Sequence, residues 1–198
     1  MTDYFALLEE PRRPWIDAEL LKEKFLSRSS QVHPDRVHGA PESDRKNADT
    51  RYAELNAAFN CLREPKDRVR HLFELELGRR PADIENIPAA LMDFAFEIGR
   101  ACKMADTLLA EKAKVTSAIL KVQFFERGQA SVDGLNALQR RINEQRGLLL
   151  DELKAMNPEW ESATREKPLK RLEEIYRLLG YFARWSEQLQ ERVVQLSF

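Results

Sequence analysis

Apolar residues recur along this chain in steps of three and four, almost never in alternation, so the pattern predicts helices and no sheet. Asp3 to Leu8 reads as a short apolar helix stopped before Pro11. Asp17 is placed to cap a second helix, because its carboxylate can accept first-turn N–H groups. Leu21, Phe25, Ser29 and Val32 share one face of that helix, which must end near His33 because the next residue is proline. Gly39 and Pro41 mark 36–43 as a loop. A third helix carries Ala48, Tyr52, Leu55, Phe59 and Leu62 as its seam. Pro65 stops it and opens a fourth, with Val69, Leu72, Phe73 and Leu77 on one face and Gly78 past its end.

Residues 79–87 lack periodicity and read as a linker. Three long helical stretches follow. Leu91, Ala95, Ile98, Cys102, Ala105 and Leu109 mark the first, which begins near Pro88 and reaches toward Arg127. Gly128 is expected to interrupt it, with Ser131 capping the second stretch of Leu135, Leu138, Ile142, Leu149 and Leu153. Asn157-Pro158 ends that stretch. The third runs from about Pro168 to Leu196 with Leu169, Leu172, Tyr176, Leu179, Leu189 and Val193 in register. The expected fold is therefore all-α. A helical part at 1–78 is joined through 79–87 to an antiparallel three-helix bundle at 88–198.

Composition narrows the classes. The 198 residues are 43% hydrophobic and 33% charged, too apolar for a disordered chain and too charged for a membrane protein. No apolar run approaches the roughly 20 residues that span a bilayer. The acidic start MTDYFALLEE is not expected to be a signal peptide. Thirty-two basic against 33 acidic residues give a net charge of −1, unlike a general nucleic-acid binder. Two cysteines, Cys61 and Cys102, make neither a disulfide framework nor a zinc site. A cytoplasmic protein without nucleic-acid or membrane partners, metal or cofactor is expected.

One short motif carries more. His33-Pro34-Asp35 sits directly after a helix bearing Lys22, Lys24 and Arg28, and a second striped helix begins some ten residues later. Two antiparallel helices would present the tripeptide at an exposed tip, stiffened by proline and held by the hydrogen-bonding Asp35. This arrangement resembles a J-domain, the module that activates DnaK-type chaperones. The resemblance covers residues 3–78: Asp3-Tyr4-Phe5-Ala6-Leu7-Leu8, His33-Pro34-Asp35-Arg36, Leu55-Asn56-Ala57-Ala58-Phe59, Leu62-Arg63-Glu64-Pro65 and Arg68. It implies that Lys22, Lys24, Arg28, His33, Pro34, Asp35 and Arg36 face the chaperone. Arg28 departs from the pattern, standing where J-domains often place an apolar residue.

After Arg68 the chain reads Val69-Arg70-His71-Leu72-Phe73-Glu74-Leu75 and then Gly78, which resembles HscB, the J-protein co-chaperone of iron–sulfur cluster biogenesis. Leu91-Met92-Asp93, Trp160 and the terminal Ser186-Glu187-Gln188-Leu189 run resemble the same family. Residues 99–130 are about twenty residues longer than the family pattern. The resemblance implies a protein that does no chemistry. Its bundle would bind an IscU-type scaffold, and its J-domain would bring that complex to an HscA/DnaK-type chaperone and stimulate ATP hydrolysis. By register the scaffold contact falls on Leu91, Met92, Ala95, Phe96 and Leu178. The family flanks this patch with acidic residues. Here Phe96 and Gly99 occupy two such positions, and Asp93 and Glu97 remain.

Alternatives stay open. Leu91, Ala95 and Ile98 share a face that suits bundle core, whereas Met92, Phe94 and Phe96 lie off it, and exposed apolar residues in a cluster favour a partner. A J-protein with a different client fits the same residues. An enzyme or metal protein using His33 and Asp35 directly is a remote third class, because no phosphate loop, His-Glu-x-x-His helix or nucleophile elbow is present.

Overall fold

The structure, a computed structural model, describes residues 2–33, 41–82, 87–114, 117–160 and 166–197, with backbone alone at 118–121, 159 and 166–168. The described residues are helical, with no strand among them. They form two compact units: Met1–Ala82 with Leu150–Tyr176, and Asp83–Leu149 with Arg177–Phe198.

The first unit is built on α1 (Tyr4–Leu7), α2 (Ala18–Gln31), α3 (Glu42–Arg63) and α4 (Pro65–Leu77). Each start follows from local chemistry. The Asp3 carboxylate accepts from the N–H groups of Phe5 and Ala6, at 3.0 and 3.2 Å. Asp17 does the same for Glu19 and Leu20, at 3.0 and 3.1 Å. Pro65 occupies the first turn of α4, where a missing N–H costs nothing. Gly78 ends that helix with φ +64°, a left-handed conformation that favours glycine.

The core of this unit includes Phe5, Leu8, Leu21, Leu55, Ala58, Leu62, Val69, Leu72 and Phe73, all buried. Phe25 of α2 stacks on Phe59 of α3 at 4.4 Å. Arg68 is buried with them. Its guanidinium donates to the Pro14 carbonyl at 2.8 Å and to the Leu62 carbonyl at 2.6 Å, which closes the end of α3. Burial pushes this group down to about 10, so it stays charged at neutral pH.

The same unit takes in the end of α6 (Ala118–Ala155), α7 (Asn157–Trp160) and the start of α8 (Glu166–Ser197). Asn157 exchanges two hydrogen bonds with the backbone of Trp15, and Lys154 lies 4.8 Å over the Trp15 ring. Glu173 accepts from Arg79 at 2.9 Å and from the Ala82 N–H at 2.7 Å. Trp160, Leu153, Leu172 and Ile175 are buried here.

The second unit is a three-helix bundle of α5 (Met92–Lys112), the body of α6 and the rest of α8. Arg141 meets Glu97 at 2.7 Å and Arg127 meets Glu111 at 2.9 Å, so α5 and α6 are antiparallel. Gln139 donates to Ser186 at 2.9 Å, and a Cβ at Gly128 would stand 3.8 Å from the Leu196 carbonyl, so α6 and α8 are antiparallel as well. Phe94 meets Trp185 and Asp106 meets Arg192, so α5 and α8 run parallel.

The pattern expected a break at Gly128 with Ser131 as a cap. Instead α5 ends at Lys112, and α6 runs unbroken through Gly128 and Ser131. Gly128 is buried where α6 passes the backbone of α8. A helix-interior glycine costs about 1 kcal/mol, less than close packing along such a seam returns. The α5 stripe also shifts near its end, with Leu108 buried and Leu109 only half-buried. A 3.6-residue helix drifts this way against a repeat of three and four. Among the described residues, no helix is long and apolar enough to cross a membrane.

Candidate functional site

His33 follows Val32, the residue that caps the C-terminus of α2. Its ring meets Tyr52 of α3 edge-on, with centroids 5.2 Å apart and planes at 78°. The side chain is half-buried, so α3 fixes where the histidine stands. Pro34, Asp35 and Arg36 lie outside the described residues.

The three basic residues of α2 do not form one row. Lys22 is exposed on the outward face. Lys24 turns back to the α1–α2 turn, donating to the Glu9 carbonyl at 2.8 Å and the Glu10 carboxylate at 2.5 Å. Glu10 has only 2% of its side chain exposed and also meets Arg13 at 3.2 Å. A carboxylate so shielded needs cations and donors around it, which commits the Lys24 charge. Arg28 donates to the Leu7 carbonyl at 3.0 Å, closing the end of α1, and pairs with Glu9. This is how α2 accommodates arginine where an apolar residue is common: the stem packs and the head group caps a helix. Glu9 sits at φ +52°, a left-handed conformation at this tight turn.

The outward face of α2 carries two residues that the motif does not single out. Leu20 and Leu26 are each 54% exposed, and Leu26 is one helical turn beyond Lys22. The sequence signal was present, since both lie off the Leu21–Phe25–Ser29 seam.

On α5 the candidate client residues divide. Met92 and Phe96 are exposed, at 38% and 69%. Leu91, Ala95 and Leu178 are half-buried, and Ile98 is core. Phe94 also turns inward, with its edge on Trp185 at 5.7 Å and the Arg141 guanidinium 4.6 Å over its ring. Arg141 holds Glu97 as well, so one of the two carboxylates expected to flank the patch is already paired.

His71 and the two cysteines are drawn at least partly into the fold. His71 is buried, accepts from the Tyr4 N–H at 3.1 Å through Nε2 and stacks on the Tyr4 ring at 4.5 Å. Burial pushes its pKa down despite Glu74 and Asp3 nearby. Burial also pushes the Cys61 thiol up to about 11 and raises Cys102, so neither is a thiolate at neutral pH. No group of three His, Cys, Asp or Glu among the described residues is arranged to hold a metal.

No protein-family model matches the chain. A co-chaperone protein HscB homolog of Chromobacterium violaceum is 27% identical over 154 residues, which are 77% of this chain and 75% of that protein. The HscB homolog of Bordetella avium is 39% identical over 72 residues and the HscB of Proteus mirabilis 31% over 94 residues, covering 43% and 52% of those relatives. The chaperone HscB from Vibrio cholerae has the same fold, with a TM-score of 0.66 over 96% of both chains at 18% identity. The human co-chaperone protein HscB gives a TM-score of 0.68 over 96% of this chain and 82% of its own, at 16% identity. In sequence the chain is similar to HscB co-chaperones over about three quarters of its length, and it shares the HscB fold. The HscB fold has the same order of parts, an N-terminal helical unit, here with His33 just past the end of α2, followed by a helical bundle. It also agrees with the turns on which the motif reading rested, from the Asp3 cap to Gly78.

Proposed function

We propose that this protein is a co-chaperone that presents an IscU-type iron–sulfur scaffold to an HscA/DnaK-type chaperone and stimulates that chaperone's ATPase. The observation that carries the reading is His33 just past the end of α2, braced by Tyr52, in a chain similar to HscB co-chaperones. In this reading the chaperone meets Lys22, Leu26 and the 33–36 segment. Lys24 and Arg28 act one step back by holding α2 against the α1–α2 turn. The scaffold meets the α5 surface around Met92 and Phe96, with Leu91, Ala95 and Leu178 lining its base. The protein itself performs no chemistry and needs no cofactor; the ATP turned over is the chaperone's.

The test is steady-state ATP hydrolysis by the chaperone with this protein and the scaffold from the same organism. The wild-type chain is expected to stimulate turnover, and His33→Gln to abolish the stimulation with an unchanged helical circular-dichroism spectrum. Unchanged stimulation by that variant would sink the assignment. A second reading, a J-protein with another client, is favoured by one observation: Glu97 is spent on Arg141, which thins the acidic rim of the family pattern. Stimulation by the scaffold-free protein, with no scaffold binding in calorimetry, would select it.

A further inference from the structure

The sulfur atoms of this chain differ in what can reach them. Cys102 is buried and Cys61 half-buried. Burial raises both thiols, Cys61 to about 11, so neither is the thiolate that reacts with oxidants at neutral pH. Met156 is buried, at 8%. Met92 and Met104, both on α5, are 38% and 66% exposed. A thioether needs no deprotonation to react, so among the described residues these two are the sulfurs open to a peroxide.

The two methionines stand in different places on the helix. Met92 opens α5 and is one turn from Phe96, on the surface proposed above for the scaffold. Met104 is about 12 Å beyond Phe96 along the helix axis and about 80° around it. It stands two turns from Glu97 and two from Glu111, which reach Arg141 and Arg127 of α6, so it lies on the flank turned to α6. The scaffold residues instead include Leu178 of α8. The more exposed methionine is thus off the scaffold surface, and the less exposed one is on it.

We propose that Met92 is an oxidation site through which a peroxide shuts off scaffold binding. This rests on the scaffold reading above and adds a means of control to that surface. The thioether sulfur attacks one peroxide oxygen: an S–O bond forms and the O–O bond breaks. The sulfur gives up two electrons, and the second oxygen leaves as water with the proton of the first. The product, methionine sulfoxide, is polar where an apolar contact stood. Burying it against an apolar partner without a hydrogen bond is unfavourable, so oxidised Met92 opposes the contact made beside Phe96. Oxidation of Met104 leaves that contact alone.

The experiment treats the full-length chain with hydrogen peroxide, removes the peroxide, and titrates the chain calorimetrically with untreated IscU-type scaffold from the same organism. Peptide mass spectrometry follows each methionine, and circular dichroism checks that the treated chain stays helical. Met104 is expected to oxidise first, with affinity unchanged. Affinity is expected to fall about tenfold as Met92 oxidises. Met92→Leu, which nearly conserves volume, is expected to bind like wild type before and after treatment. Met104→Leu is expected to lose affinity on treatment as wild type does. Dithiothreitol alone should not restore binding, whereas methionine sulfoxide reductases supplied with dithiothreitol should. Affinity that holds with Met92 oxidised, that falls with Met104 instead, or that returns with dithiothreitol alone overturns the inference and leaves the scaffold reading standing. No binding by the untreated chain overturns both.

Discussion

Asn157 and Trp15 pair through both edges of one amide: the Trp15 N–H donates to Oδ1 and Nδ2 donates to the Trp15 carbonyl, each at 3.0 Å. The pair joins residues 142 apart in sequence, and the side chain does what a second strand would do for an extended segment. It holds the stretch between α1 and α2 to the α6–α7 corner within the first unit. Asn157→Ala leaves both backbone groups without this partner and is expected to cost about 1–3 kcal/mol in urea unfolding. Asn157→Asp keeps the acceptor and loses the donor, so its cost should fall between those of wild type and alanine. Equal stability of all three chains would show that water satisfies Trp15 as well as the amide does.

The cations of α2 make a prediction that separates structure from docking. Lys24→Met leaves the shielded Glu10 carboxylate with Arg13 alone, and the expected loss is about 1–3 kcal/mol, moderated because Lys24 is itself 38% exposed. Any drop in ATPase stimulation by that variant should follow its fall in melting temperature. Lys22→Ala and Leu26→Ala, both outward-facing, should lower stimulation at unchanged melting temperature. The opposite assignment, with Lys24→Met fully stable and inactive, would return Lys24 to the chaperone surface.

These two cases show what the sequence carries and what it leaves out. Asp3, Asp17, Pro65 and Gly78 act on their nearest neighbours, so their caps and turns are readable from local order. The seam Ala48, Leu55 and Leu62 is readable because period alone defines it. Trp15 with Asn157, and Lys24 with Glu10, are pairings between remote or side-facing residues that no periodicity encodes. Gly128 misled for a related reason. Glycine signals a break only when nothing packs on it, and the α8 backbone that packs here is nearly 70 residues away in sequence. For the site, exposure of Met92 and Phe96 followed from their position off the seam. The inward turn of the half-buried Phe94 did not, because Trp185 and Arg141 draw it in.

His71 links stability to mild acid. Its Nε2 accepts the Tyr4 N–H, so the folded chain holds the neutral ring, and burial lowers its pKa below the ordinary value of about 6.5. Glu74 and Asp3 pull the other way and Arg70 adds to the lowering. Between the folded and unfolded values the unfolded chain binds more protons, so stability rises with pH and is lost as pH falls below about 6.5. Melting temperature should therefore decline from about pH 7.5 to about pH 5. In His71→Gln, which keeps an acceptor and does not titrate, that decline should flatten. A slope identical to wild type would place the linkage on another group.

Tyr52 is the residue through which α3 reaches the motif. An edge-on aromatic pair contributes about 0.5–1.5 kcal/mol, enough to hold His33 in one orientation while the rest of α3 stays folded on Ala48, Leu55 and Ala58. Tyr52→Ala frees the imidazole from that contact and should lower chaperone stimulation about 2- to 10-fold, the range that this energy sets. Tyr52→Phe keeps the ring and should restore stimulation, which a requirement for the hydroxyl would not allow. The loss should fall on maximal stimulation or on half-saturating concentration while melting temperature moves little, because Tyr52 is only half-buried. Full activity in Tyr52→Ala would mean that the chaperone itself orders His33 on docking, and the brace seen here would then belong to the free protein alone.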